Sequence, residues 1–216
     1  PFLIAVFVFA VPLMIYEINS GRRTRADIVA TFRDVRPGFR IFGWFIVAIV
    51  ILILSYYLVI TGWILAFLGS AITGSEISLA GFTASYAPIL SFIVSLGIVA
   101  AVLSLGVREG IERLTTVLMP LVFVILLGMA AFSVTLSGFS EGVSFFLTPD
   151  LSVLADPLIW SAAFGQAFFS LSAGMGILIT YGSYVGEEMD VPEAAAIIAV
   201  ADVIVAVLAG IVIFPI

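Results

Sequence analysis

The sequence predicts an all-α, polytopic membrane protein in which one transmembrane helix is interrupted in the middle of the bilayer. Hydrophobic residues make up 63% of the 216 residues and charged residues only 10%, whereas soluble domains have roughly 45–50% and 25%. A soluble chain could not bury that much apolar surface, so we expect its solvent to be lipid. The long apolar runs show no two-residue alternation. They favour helices over strands, because backbone amides in hydrocarbon must be satisfied within their own segment or in a closed barrel.

Six apolar segments are long enough, or nearly so, to cross a bilayer; a core of about 30 Å needs about 20 residues in a helix. They lie at about 1–16, 41–69, 86–105, 115–136, 158–185 and 194–216. We expect them to form a single transmembrane domain over residues 1–216. The first segment lacks the basic start and the cleavage site of a signal peptide. Because the chain begins and ends in apolar residues, we expect it to be a fragment of a longer protein.

The basic residues are all arginines, and their positions predict how the helices are oriented. Six lie in the loop at 17–40 and two lie in the loop at 106–113. Basic residues are enriched in cytoplasmic loops, so both loops are expected to be cytoplasmic and the protein to lie in the inner (cytoplasmic) membrane of the cell. A third loop on the same side carries Glu187 and other acidic residues, which count little in this rule.

The first arginine-rich loop contains a pattern that is typical of an amphipathic helix. Ile28, Val29, Phe32 and Val35 fall on one helical face, and charged residues lie off that face. We predict a short helix at the membrane interface, with a solvated loop as the alternative.

Asp202 is the acidic residue that lies deep in a predicted membrane segment, roughly 12 Å from its start at 1.5 Å per residue. The other acidic residues, Glu17 among them, are assigned to loops or segment ends. A carboxylate at that depth costs on the order of several kcal/mol unless it is paired. The segments contain no basic residue, so the partner of Asp202 is a cation, a proton or a helix outside this chain. A protonated Asp202 bonded between helices is the structural alternative.

The fifth segment contains a run of poor helix formers near its middle. Within 168–176 it has two serines, Ser170 and Ser172, and two glycines, Gly174 and Gly176. We interpret this run as a helix break at mid-membrane, where freed carbonyls can coordinate a cation and a second half-helix can receive a carboxylate. Close packing of small residues against a neighbouring helix is the alternative.

The second segment carries Tyr56 and Tyr57 near its middle, away from the interfacial positions that aromatic residues prefer. Ile53 lies one turn before Tyr57 on the same face, so the pair can line one wall of a pocket. Gln166 is a similar polar residue in the first half of the broken helix. A buried phenol usually finds a polar partner, and simple packing with such a bond is the alternative for these residues.

These stretches resemble the sodium:neurotransmitter symporter family, whose bacterial leucine-transporter members have twelve spans. The resemblance is carried by Pro12-Leu13-Met14 with Glu17 and Gly21-Arg22, Tyr56-Tyr57 before Gly62-Trp63, residues 106–113 before Met119-Pro120, and residues 160–185 with Gly165-Gln166, Phe168-Phe169-Ser170-Leu171-Ser172 and Thr180-Tyr181-Gly182-Ser183-Tyr184. It implies that the six segments are family helices two to seven, and that they belong to the leucine-transporter type of inverted-repeat bundle.

The resemblance also implies roles for individual residues. Tyr57 corresponds to the tyrosine whose hydroxyl meets the substrate carboxylate. Ser170 and Asp202 correspond to side-chain ligands of a sodium ion. Gln166, with Ser170, belongs to the family's anion site, and Tyr184 resembles the cytoplasmic gate tyrosine, with an interfacial belt residue as the alternative. The substrate-binding positions implied by the resemblance are Ile53, Tyr57, Phe169, Ser170, Ser172, Gly174 and Met175.

The sequence departs from the family pattern at several of these positions. Asp202 stands where the family usually has asparagine. Phe2 stands where a tyrosine binds chloride in animal members, and Ala206 stands where those members have serine and some bacterial members have glutamate. An anion site without these hydroxyls and facing Asp202 would repel chloride, so chloride-independent transport is expected. Met175 replaces a frequent aromatic residue and leaves the pocket more pliable.

The expected function is therefore sodium-coupled symport of an amino acid or a related small zwitterion by alternating access. A transport-dead homologue acting as a substrate-binding sensor and a proton-coupled amino-acid transporter are the alternatives. An intramembrane enzyme is disfavoured, because the chain has neither cysteine nor histidine and only one deep carboxylate. We expect sodium as the bound ion, no organic cofactor and no nucleic-acid partner; the oligomeric state stays open.

Overall fold

A computed structural model describes residues 1–215, and over these residues it is helical without β-strands. Five continuous helices of the described part are long and apolar enough to cross a membrane. The prediction of an all-α, polytopic membrane protein is confirmed. Ile216, the last residue of the predicted sixth segment, lies outside the described residues.

The helices are labelled here in chain order. They are α1 (Phe2–Thr24), α2 (Ile28–Val35), α3 (Arg40–Thr73), α4 (Leu79–Thr83), α5 (Ala87–Ser104), α6 (Arg113–Ser133), α7 (Phe139–Leu147), α8 (Pro157–Ser170), α9 (Ile177–Gly182) and α10 (Val191–Ile213). The chain divides into two compact units. One contains Pro1–Val47 and the chain from Val122 onward, and the other contains Ala48–Leu121.

Aspartate residues cap the N-termini of three helices and explain where these helices begin. Asp27 precedes α2 and accepts a hydrogen bond of 2.9 Å from the Ala30 amide. Asp156 and Asp190 do the same for Leu158 in α8 and Glu193 in α10, at 2.8 and 3.1 Å. Such caps satisfy amides that have no partner inside the first turn of a helix. The short amphipathic helix predicted in the arginine-rich loop is present as α2.

Helix α1 is the centre of the first unit. Ala5, Val6 and Ala10 of α1 form a buried cluster with Ala167 of α8 and Ala199 of α10. Further along α1, Met14 and Ile18 pack against the start of α10 in a second buried cluster. The small side chains in the first cluster let the helix backbones approach closely, which is how membrane helices gain packing energy when lipid removes the hydrophobic driving force.

Helices α1 and α9 cross at two glycines that fit reciprocally. A Cβ atom at Gly21 of α1 would overlap the backbone of Ile179, and one at Gly182 of α9 would overlap the backbone of Ile18. Backbone cannot move aside as a flexible side chain can, so glycine is required at both positions. The crossing fixes the short helix α9 against α1.

Helices α3 and α5 pack in a similar way within the second unit. Ser95 is buried and its hydroxyl donates a hydrogen bond of 2.8 Å to the Leu58 carbonyl. One turn further along α3, a Cβ at Gly62 would overlap the backbone of Ser91. The glycine and the serine again bring two helix backbones close together.

The glycine crossing makes a first prediction for the full-length protein. Gly21→Ala is expected to destabilise it by about 1–3 kcal/mol, the usual cost of overpacking a tight contact, because the new methyl group meets backbone. The measurement is the thermal unfolding midpoint of the purified protein in detergent. Gly128→Ala in α6 is the matched control, since a Cβ there meets nothing within 4 Å. Equal losses of stability in Gly21→Ala and Gly128→Ala would contradict the close contact between α1 and α9 at Gly21.

Candidate functional site

The predicted interruption of the fifth segment is confirmed. Helix α8 ends at Ser170 and α9 begins only at Ile177. Between them Ser172, Gly174 and Gly176 have φ values of 53°, 82° and 69°. Glycine adopts such left-handed conformations without cost, whereas a serine there is uncommon and strained. The chain therefore leaves the helix where the serine and glycine residues cluster.

The backbone groups of this helix break find new partners. The Ser172 amide donates to the Phe169 carbonyl at 3.1 Å, and the Ala173 amide donates to the Phe168 carbonyl at 2.9 Å. The Gly174 amide instead donates to Oε1 of Glu17 at 3.0 Å. In a regular helix Gly174 would donate to the Ser170 carbonyl, four residues earlier. The bond to Glu17 thus replaces one step of the helical ladder.

Glu17 is a site residue that the sequence prediction missed. Its side chain is 7% exposed, and Oε2 is buried without a hydrogen-bond partner among the described residues. The prediction that Glu17 lies at a segment end was wrong, because α1 continues from Tyr16 to Thr24. The prediction from hydropathy ended the first segment at Tyr16, because Asn19, Ser20 and the arginines follow soon after. The spacing of Glu17 and Gly21, one helical turn apart on the same face, was the sequence signal that could have placed both on a longer helix.

The second carboxylate at the break is Asp202. It lies in the middle of α10, and its Oδ1 accepts a hydrogen bond from the hydroxyl of Ser170, the last residue of α8. Its Oδ2 is buried and has no hydrogen-bond partner among the described residues. The structure therefore brings together Ser170 and Asp202, the two residues assigned to a sodium ion. An open carboxylate oxygen beside a hydroxyl is a donor set suited to a hard cation, which prefers oxygen ligands.

The remaining predicted residues of the first unit lie at different distances from the break. Phe169 is 38% exposed, Ser172 and Met175 are half-buried, and Gly174 lies in the break itself. Gln166 is exposed on α8, one turn before Ser170. Tyr184 lies beyond α9 and is 63% exposed, which fits a gate residue and an interfacial residue equally well.

Ile53 and Tyr57 belong to the second unit, on α3. They are one helical turn apart, as the sequence predicted, and Tyr57 is 43% exposed. The rings of Tyr56 and Tyr57 lie 5.2 Å apart between centroids. Ile53 and Tyr57 thus lie on the same stretch of α3, and the Tyr57 ring contacts the Tyr56 ring.

The amphipathic helix α2 also reaches the break, which the sequence did not predict. A Cβ at Gly176 would overlap the end of the Ile28 side chain, and Gly176 already has a left-handed backbone. Ile28 is buried in this contact. Helix α2 therefore packs against the residue that precedes the start of α9.

A family model and individual relatives all relate this chain to sodium-dependent transporters. The family model described as "Sodium:neurotransmitter symporter family" matches residues 1–78 and 75–216. An uncharacterized sodium-dependent transporter of Bacillus subtilis is 34% identical over 226 residues, which cover 99% of this chain and 50% of that protein. One from Methanocaldococcus jannaschii is 31% identical over 234 residues, covering 99% and 47%. A sodium-dependent nutrient amino acid transporter of Drosophila virilis is 36% identical over 94 residues, covering 44% and 15%. The chain spans about half the length of the two microbial relatives.

The bond between Glu17 and Gly174 makes the second prediction. In the full-length protein, Glu17→Ala removes the acceptor of the Gly174 amide, at a cost of about 0.5–3 kcal/mol, the range for losing a hydrogen bond to a neutral or a charged partner. Glu17→Gln keeps an acceptor oxygen at the same place and is expected to retain most of the stability. The measurement is the thermal unfolding midpoint of each variant.

The glutamine variant separates a hydrogen-bonding role from a charge role. If Glu17→Gln is as unstable as Glu17→Ala, the negative charge of Glu17 rather than its bond to the Gly174 amide carries the effect. If both variants match the original protein, the bond contributes nothing to the stability of the break.

Proposed function

The chain belongs to the sodium:neurotransmitter symporter family, and from this premise we propose that the full-length protein is a sodium-coupled symporter of an amino acid or a related small zwitterion. The observation that carries the proposal is the helix break beside Asp202, whose Oδ2 is buried and has no hydrogen-bond partner among the described residues. Irregular backbone and a charged group at that depth of a membrane segment are expensive, and they are usually kept where an ion or substrate binds.

Sodium is one of the transported species in this proposal. The hydroxyl of Ser170 and the carboxylate of Asp202 are its proposed side-chain ligands. The Ser170 carbonyl supports the assignment, because the Gly174 amide that would occupy it in a regular helix donates to Glu17. A monovalent cation would neutralise the charge of Asp202, which has no basic residue in any predicted membrane segment to pair with.

The substrate is proposed to bind along the same break. Phe169 and Met175 offer apolar surface, and Ser172 and Gly174 have the left-handed backbone that leaves the helical ladder. An amino acid is the proposed substrate class, supported by the similarity to the sodium-dependent nutrient amino acid transporter of Drosophila virilis. Ile53 and Tyr57 are proposed to contact the substrate on the family resemblance alone, and Gln166 and Tyr184 are proposed as supporting and gate residues on the same basis.

Alternating access is the proposed mode of transport, within a multi-pass integral membrane protein. We propose that the arginine-rich stretches 17–40, which includes the end of α1 and all of α2, and 106–113 face the cytoplasm, since six and two of the basic residues lie there. The inner membrane of the cell is the proposed location.

We further propose that transport does not depend on chloride. Asp202 supplies a fixed negative charge at the break. Phe2 and Ala206 lack the hydroxyls that, by the family resemblance, hold chloride in the animal members. A fixed carboxylate and an anion at one small site repel each other, so Asp202 takes the place of the anion.

Sodium coupling is tested with the full-length protein in proteoliposomes and a panel of radiolabelled amino acids. A sodium gradient is expected to drive accumulation of at least one of them. Asp202→Ala is expected to reduce that accumulation more than tenfold while membrane insertion is preserved, because the cation loses its carboxylate. Undiminished uptake by Asp202→Ala would remove Asp202 from the mechanism. Binding without accumulation would favour a sensor, and accumulation driven by a pH gradient alone would favour proton coupling.

Chloride dependence is tested in the same vesicles by replacing chloride with gluconate. Uptake by the original protein is expected to change less than twofold, since Asp202 supplies the negative charge. Asp202→Asn keeps an acceptor for Ser170 but removes the charge, so its uptake is expected to fall in both salts. A sharp loss of uptake by the original protein in gluconate contradicts the proposal.

A further inference from the structure

A cleft rich in arginine lies at the end of α1 and is separate from the helix break. We call it the arginine cleft; it is lined by Asn19, Arg22, Arg23, Arg25 and Glu187, and its volume is about 690 Å³. It contains three guanidinium groups and one carboxylate. Within the described residues, none of these arginines lies within ion-pair distance of a carboxylate. The side chains that line the cleft therefore carry an excess of positive charge, and within the described residues no ion pair matches it.

Two of the three guanidinium groups are held in place by backbone carbonyls. Arg22 donates to the Met189 carbonyl at 2.8 Å, and Arg25 donates to the Val185 carbonyl at 2.7 Å. A guanidinium has five N–H donors, so these bonds fix each side chain and leave donors unused. Arg23 is exposed and makes no hydrogen bond or ion pair among the described residues. Planar donors of this kind match phosphate oxygens in pairs.

Arg23 also lines a second, more apolar groove of about 550 Å³ between α1 and α2. Tyr16, Phe32, Val35 and Ile179 give it an apolar wall, and Tyr16 and Val35 are 70% and 74% exposed. The rest of its lining is polar and includes Asp34, so the arginine cleft lies beside a groove with one apolar wall. α2, which forms part of the groove, has the amphipathic pattern of an interfacial helix.

We propose that the arginine cleft binds the phosphate headgroup of an anionic phospholipid, with an acyl chain lying along the groove beside Arg23. Charge complementarity selects an anion, and the adjoining apolar groove selects a lipid over a soluble anion. Basic pockets next to a membrane surface attract anionic headgroups in this way. The cleft joins α1 to the chain that follows α9, so the headgroup stabilises the docking of α9 on α1. The proposed orientation would place this headgroup in the cytoplasmic leaflet; the lipid site itself does not depend on that orientation.

The test is direct lipid binding by the purified full-length protein, measured by native mass spectrometry and by titration with short-chain phosphatidylglycerol, short-chain phosphatidylcholine and inorganic phosphate. Phosphatidylglycerol is expected to bind at least tenfold more tightly than either of the other two. Arg23→Gln is expected to weaken its binding about fivefold, the effect of removing one basic residue from such a surface. Arg23 makes no hydrogen bond within the described residues, so the variant is expected to fold.

Arg33→Gln is the matched control, because it removes the same charge from the same loop and lines neither cavity. The proposal expects it to leave phosphatidylglycerol binding unchanged. Equal weakening by Arg33→Gln and Arg23→Gln overturns the proposal in favour of general attraction to the loop. Equal affinity for phosphatidylglycerol and phosphatidylcholine overturns it as well, and phosphate binding as tight as that of phosphatidylglycerol shows a site for a soluble anion. The assay needs no transport, so its result is independent of whether the symporter proposal holds.

Discussion

The hydrogen bond from the Gly174 amide to the Glu17 carboxylate is the contact on which the site geometry depends. A helix that breaks inside a membrane segment releases amides and carbonyls where no water can satisfy them, and each unsatisfied group costs on the order of several kcal/mol. Glu17 takes the amide that a regular helix would direct at Ser170. This leaves the Ser170 carbonyl without its regular helical donor, while the Ser170 hydroxyl bonds to Asp202. Glu17 on α1 therefore stabilises the break by giving the Gly174 amide an acceptor outside the helical ladder.

The same arrangement sets the electrostatics of the break. Glu17 and Asp202 each have one oxygen in a hydrogen bond and one that is buried without a partner in the part of the chain that the structure describes. Carboxylates in such surroundings need a positive charge, a proton or further donors, because removing an ion from water costs more than a single neutral hydrogen bond returns. Cation binding beside Asp202 is one way to satisfy this demand. In the proposed site, Ser170 would link the ion to the backbone of 171–176, because it ends α8 and bonds to Asp202.

Hydropathy and residue type predicted the helices, the break and the deep carboxylate, because each depends on local composition. Ser170, Ser172, Gly174 and Gly176 are poor helix formers close together, and Asp202 is conspicuous in an apolar segment. Glu17 was missed because a hydropathy window ends at the first run of polar residues, while α1 continues through them to Thr24. The crossing of Gly21 and Gly182 gave no signal, since a glycine in a helix does not reveal which backbone it meets. Contact-dependent roles of this kind need the tertiary structure.

Both halves of the interrupted helix are anchored to α1, but at different levels. The first half, α8, packs through Ala167 against Ala5, Val6 and Ala10 near the start of α1. The second half, α9, is fixed by the glycine crossing and by the carbonyls that Arg22 and Arg25 bind beyond it. A movement of one half-helix relative to the other would break one of these contacts with α1. If the full-length protein is the symporter proposed above, we expect α1, α8 and α9 to move together. An ion at Asp202 would then act by ordering 171–176, and the larger motion would take place where these helices meet other parts of the full-length protein.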